Sequence, residues 1–165
     1  MELEKAVSEY SDYIYHIAIM YTKDRFAAEE IVQDTFLKFY QSKFEQRASV
    51  KTYLTRIAIH CSYDYLRKWS VKYQQFVDTM KGQVSDAEQY LVASNERQQV
   101  AAAILTLPVK YREVLFLYYY EELKLDDIAN LLRIPASTAR TRLQRAREKL
   151  KPQLQSVEWE VLRHE

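Results

Sequence analysis

The stretch from Leu125 to Leu150 leaves the chain few choices of structure. Leu125, Ile128, Ala129 and Leu132 recur at helical spacing and mark one face of a short helix. Asp126 and Asp127 stand at its start, where the helix dipole favours negative charge. Pro135 cannot continue that helix but suits the opening turn of another. In that second helix Ala139, Leu143, Ala146 and Leu150 form a narrow apolar stripe, and Ser137, Thr141, Gln144 and Arg145 face away from it. Arg140, Arg142, Arg147 and Lys149 lie on the flanks. Two short helices, a tight turn and a basic second helix describe a helix-turn-helix.

The charge is one-sided. Seven basic residues fall between Arg133 and Lys151 (Arg133, Arg140, Arg142, Arg145, Arg147, Lys149 and Lys151), against the single acid Glu148. An ordinary amphipathic helix in a bundle would mix its signs. Arg can grip guanine in bidentate fashion, Gln can read adenine, and flanking cations can hold phosphates. The segment therefore points to DNA. The formal net charge of the whole chain is only +1, so positive charge is segregated here.

One Gly and three Pro in 165 residues supply little material for β-turns, and long helical periods dominate. The expectation is an all-α chain of two small helical bundles joined by a linker. Leu3, Val7, Tyr10, Ile14, Ile17 and Tyr21 repeat as a first helix. Thr22 to Arg25 interrupts it, with Asp24 a candidate N-cap for a helix over 25–41. There Ala28, Val32, Thr35, Phe36 and Phe39 can face a core, while Glu29, Glu30, Gln33, Asp34, Lys38 and Gln41 form a polar side. Spacing alone makes those acids a solvated face. Residues 41–49 read as a loop. Val50, Leu54, Ile57, Cys61 and Tyr65 then mark a helix through Trp69. Its other face carries Lys51, Thr55, Arg56, His60, Tyr63, Arg67, Lys68 and Trp69, a mixture of cations and aromatics suited either to single-stranded nucleic acid or to plain solvent.

From Ser70 to Asn95 the pattern weakens around Gly82, as in a linker. Val100, Ala103, Ile104 and Leu107 resume a helix that Pro108 ends, and Tyr111, Val114, Leu115 and Tyr118 mark the next. Lys151-Pro152 closes the basic helix, and the last dozen residues are expected to fray. The domains expected are 1–70, a linker over 71–95, and 96–165. Most of the 14 tyrosines read as core-edge residues. The single Cys61 excludes an internal disulfide or a cysteine-rich zinc site and falls on an apolar stripe. No metal or cofactor is expected. No membrane span or signal pattern is visible, so a cytoplasmic protein is expected.

Two blocks of this sequence resemble the extracytoplasmic-function (ECF) group of sigma-70 family sigma factors. Residues 28–37 (AEEIVQDTFL), 53–58 (YLTRIA) and 64–68 (DYLRK) look like its region 2. Leu107-Pro108, residues 111–115 (YREVL), Asp127-Ile128-Ala129 and residues 138–147 (TARTRLQRAR) look like its region 4. The resemblance implies a partner, core RNA polymerase, and a target, promoter DNA. Glu30, Gln33 and Asp34 would meet the clamp helices of the β′ subunit. The loop from Phe44 to Ser49 would receive a flipped base of the −10 element, and Lys51, Arg56, His60, Arg67 and Lys68 would hold the opened strand. Unstacking a base costs about a few kcal/mol, which stacking worth roughly 1–3 kcal/mol per base can offset. Ser137, Arg140, Thr141, Gln144 and Arg145 would read the −35 element, with Arg142, Arg147 and Lys149 beside them. The apolar upstream surface of region 4 would touch the β flap. An anti-sigma factor, frequently membrane-anchored, would restrain the protein. The chain departs from the family pattern where His60 replaces a frequent Asn, Tyr53 a common Trp, Arg133 a frequent Gly and Ala139 a common Val. A non-glycine residue at Arg133 would pay about 1–2 kcal/mol in a left-handed turn, which leaves the turn's geometry open.

Three other readings compete. A stand-alone helix-turn-helix regulator would share the C-terminal half but leaves residues 28–68 unexplained. A helical adaptor would use Arg140 and Arg145 only for solubility. An enzyme finds little material: three His, one Cys, no Gly-rich phosphate loop and no paired-His spacing beside Glu29, Glu30 and His60.

Overall fold

The computed structural model describes residues 2–44, 48–76 and 96–154, with side chains over 2–44, 48–68 and 100–154. All the regular structure among the described residues is helical. The chain divides into two compact units, Met1–Ala87 and Glu88–Glu165.

The first unit packs three helices pairwise: α1 (Glu2–Thr22), α2 (Arg25–Gln41) and α3 (Val50–Phe76). Its core takes Ile14, Ile17, Ala18 and Tyr21 from α1, Ala28, Ile31 and Phe36 from α2, and Leu54 and Ala58 from α3. The turn between α1 and α2 is tight. Lys23 adopts φ 56° and donates its N–H to the Ile19 carbonyl at 2.9 Å. The Asp24 carboxylate then accepts from Phe26 N at 2.9 Å and Ala27 N at 3.1 Å, the expected N-cap. Losing such a cap costs about 1 kcal/mol. Ser49 caps α3, its hydroxyl accepting from Thr52 N at 3.1 Å and donating to Thr52 Oγ1 at 2.9 Å.

Several expectations for this unit need correction. Val7 is exposed and Val32 only half-buried, while Ala27 and Ile31 are buried. Helix α3 runs on to Phe76, past the expected end at Trp69 and into the expected linker. Thr55 is buried rather than outward, sharing a hydrogen bond with Tyr13 Oη at 3.0 Å and donating to the Lys51 carbonyl at 2.7 Å. Tyr63 packs its ring 5.4 Å from that of Tyr21. Cys61 is buried as expected, and burial pushes its thiol up. Part of the expected base-receiving loop (45–47), the linker around Gly82 and the C-terminal dozen lie outside the described residues.

The second unit comprises α4 (Glu96–Leu105), α5 (Val109–Tyr119), α6 (Leu125–Leu132), α7 (Ala136–Leu150) and a 3-10 turn (Lys151–Gln153). Helix α5 packs against α4, α6 and α7, and α6 packs against α7. Ile104, Leu107, Val114, Leu115, Leu117, Ile128, Leu143 and Leu150 belong to one core cluster. Arg112 is buried with its guanidinium donating to the carbonyls of Leu107 (3.1 Å) and Leu105 (3.4 Å). It thereby satisfies the last carbonyl of α4 and one in the turn that follows it.

The helix-turn-helix turn lacks glycine. Arg133 itself takes the left-handed conformation, φ 54° and ψ 47°, and Ile134 N closes on the Ala129 carbonyl at 3.0 Å. That conformation costs a non-glycine residue about 1–2 kcal/mol. Arg133→Gly is therefore predicted to stabilise the protein by about 0.5–1 kcal/mol, after allowing for the extra freedom glycine has when unfolded. A denaturation midpoint unchanged or lowered at constant m-value would contradict this.

Candidate nucleic-acid interface

Helix α7 owes its position to a four-residue stripe. Ala139, Leu143, Ala146 and Leu150 are all buried, so the opposite side must face outward. Ser137, Arg140, Thr141, Gln144 and Arg145 are exposed there, as the sequence predicted. The Thr141 hydroxyl donates to the Ser137 carbonyl at 2.9 Å, so it meets a partner chiefly as an acceptor. Lys149 is exposed and Arg142 half-buried on the flanks.

Arg147 behaves differently from its predicted neighbours. Its Nε donates to Tyr119 Oη at 2.7 Å, and its guanidinium lies 5.5 Å from the ring centroids of both Tyr118 and Tyr119. This arginine clamps α7 to α5. Sequence could not show it, because the tyrosines come from a helix far back in the chain.

In the first unit, helical geometry sets Arg56, His60 and Arg67 in one outward row on α3, and all three are exposed, as is Lys68. Arg67 forms an ion pair with Asp64 one turn back. Lys51 is turned away from that row, with its ammonium 4.6 Å over the Tyr13 ring of α1. Phe44 is half-buried in an aromatic cluster, 5.8 Å from Phe39 and 5.0 Å from Tyr53. Its ring is thus used inside the bundle. Tyr53 fills this cluster too, which fits a conservative exchange for Trp. Ser49 is exposed but its hydroxyl serves the α3 cap.

Glu30, Gln33 and Asp34 are exposed together on α2. The same face also exposes Phe26, Leu37 and Tyr40, at 79%, 54% and 68% of their full surface. The sequence reading passed over these three. Their signal was available, because positions 26, 30, 33, 37 and 40 follow helical spacing, but large apolar residues are read by default as core. A face that mixes exposed aromatics with carboxylates has the composition suited to docking another protein.

The arrangement defines a class before any relative is considered: a two-unit helical protein with a helix-turn-helix whose polar, basic face is exposed. The family model for Sigma-70 region 2 matches residues 6–70, and that for Sigma-70, region 4 matches residues 97–150. The ECF RNA polymerase sigma factor SigW of Bacillus subtilis is 34% identical, with 92% of this chain and 88% of the relative covered. SigM of the same organism is 28% identical, covering 92% and 94%. Among solved structures, the sigma factor RpoE in complex with the anti-sigma factor NepR from Bartonella quintana superposes with a TM-score of 0.74 at 24% identity, over 92% of this chain and 95% of that one. The likeness at that identity is one of fold. This chain belongs to the ECF group of the sigma-70 family of RNA polymerase sigma factors. That family consists of transcription initiation factors and is not a catalytic one. The region 2 match also accounts for the N-terminal block that a stand-alone regulator left unexplained. Among the described residues no helix is long and apolar enough to cross a membrane.

Proposed function

We propose that this chain binds core RNA polymerase and directs it to promoters, with the unit of α1–α3 acting at the −10 element and the unit of α4–α7 at the −35 element. One observation carries the reading: region 2 and region 4 matches occur in order on one chain, and the second presents an exposed Arg140–Gln144–Arg145 face. Ser137, Arg140, Thr141, Gln144 and Arg145 read base edges, and Arg142 and Lys149 hold phosphates. Arg56, His60, Arg67 and Lys68 follow the opened strand. The −10 domain takes in α1–α3 to Phe76, and the −35 domain takes in α4–α7 from Glu96. The chain makes no bonds itself, since the polymerase carries the chemistry. It works in the cytoplasm, and an anti-sigma factor restrains it, as the RpoE–NepR complex illustrates for a relative of the same fold.

Core binding falls to the outer face of α2. Glu30, Gln33 and Asp34 give polar complementarity to the β′ clamp helices, while Phe26, Leu37 and Tyr40 supply buried area. Asp34→Ala should weaken core affinity about tenfold, roughly 1.4 kcal/mol. Titration of fluorescently labelled protein with core polymerase measures this. Unchanged affinity would remove Asp34 from the docking surface, and a protein that does not bind core at all would remove the function.

A further inference from the structure

A groove of about 340 Å³ runs between the start of α5 and the outer side of α7. Lys110 and Tyr111 line it from α5, and Thr138, Thr141, Arg142 and Arg145 line it from α7. No carboxylate lines it. Tyr111 is the fixed post of this groove, because its ring belongs to the core cluster of the unit. Cations gather around that post: Lys110 Nζ lies 5.0 Å and Lys149 Nζ 5.6 Å from the ring centroid. Burial pushes the Tyr111 phenol up, but Lys110 and hydrogen bonds with Arg145 and Lys110 outweigh it and hold the phenol below its ordinary range. Lys110, Arg142, Arg145 and Lys149 thus place positive charge around the groove.

Cations converging without an acid favour a bound anion. We propose that this groove seats one backbone phosphate of the DNA strand beside the −35 element, held between Lys110 of α5 and Arg142 of α7. The site rests on the sigma-factor reading and adds to it a contact from outside the helix-turn-helix. It also explains why a lysine is placed on the groove side of α5. The phosphate would lock the orientation of α7 in the major groove, since it is gripped from two helices at once. Phosphate contacts of this kind position a protein without reading sequence.

The test uses holoenzyme assembled from core polymerase and the full chain. Promoter duplexes carry a neutral methylphosphonate in place of one phosphate at a time, and affinity is measured at fixed salt. For the wild type, one or two adjacent positions on one strand should weaken binding about 5–10-fold. The same replacement should weaken Lys110→Ala holoenzyme less than twofold. On unmodified DNA, Lys110→Ala should lose about 5–10-fold and reduce the salt slope by about one. Additive losses at every position, or an unchanged slope, would overturn the phosphate seat. If wild-type holoenzyme shows no preference for promoter DNA, the sigma-factor reading itself fails and the site with it.

Discussion

Arg140→Ala is expected to reduce transcription from a cognate promoter about 5- to 150-fold while core affinity stays the same. The size follows from the role. A bidentate arginine–guanine pair is worth about 1–3 kcal/mol of discrimination. The selectivity of the effect follows from the fold. Arg140 is exposed on α7, whose seat in the unit depends on Ala139, Leu143, Ala146 and Leu150 on the other side. Alanine is a strong helix former, so the helix survives the change. On the proposed reading core binding falls chiefly to α2 in the other unit, and Arg140 is not among the residues assigned to it. Run-off transcription at one salt concentration, paired with a core titration, measures both quantities. Equal transcription by variant and wild type would remove Arg140 from the reading face.

Leu117→Ala should destabilise the protein by about 2–5 kcal/mol, the range for emptying a buried leucine site. Leu117 is fully buried in the cluster that holds α5 to its neighbours. Total stability of a domain is about 5–15 kcal/mol, so a small bundle loses a large share of it. The damage should be local. Hydrogen exchange should quicken across 100–154 and leave α1 and α2 as protected as before. The −35 dependence of transcription should weaken with it, because α7 loses the surface it rests on. A melting transition and exchange pattern indistinguishable from the wild type would show that Leu117 is not part of a cooperative core.

Residues whose role is set by their own helix were legible in the sequence. The α7 stripe, the Asp24 cap and the breaks at Pro108 and Pro135 depend on spacing and local chemistry, and the structure carries all of them. Residues whose role is set by a distant element were not. Thr55 is turned inward by Tyr13, Arg147 is claimed by Tyr119, and Phe44 is drawn against Phe39 and Tyr53. A cation or an aromatic on a nominally outer face gives no sign of such partners. Arg112 and Glu113 show the same limit from the other side, since both are buried although their charges predict exposure. The end of α3 escaped notice because the Val50–Tyr65 stripe stops before the helix does. Arg133 is a different case: sequence left the turn open, and the structure places this non-glycine residue in the left-handed conformation.

The most direct test of the central claim is run-off transcription with purified bacterial core polymerase across a genomic promoter library, with and without this protein. The account predicts new transcripts that start only when the protein is present and share a two-element upstream motif. No new starts, together with no complex between the chain and core polymerase, would contradict it.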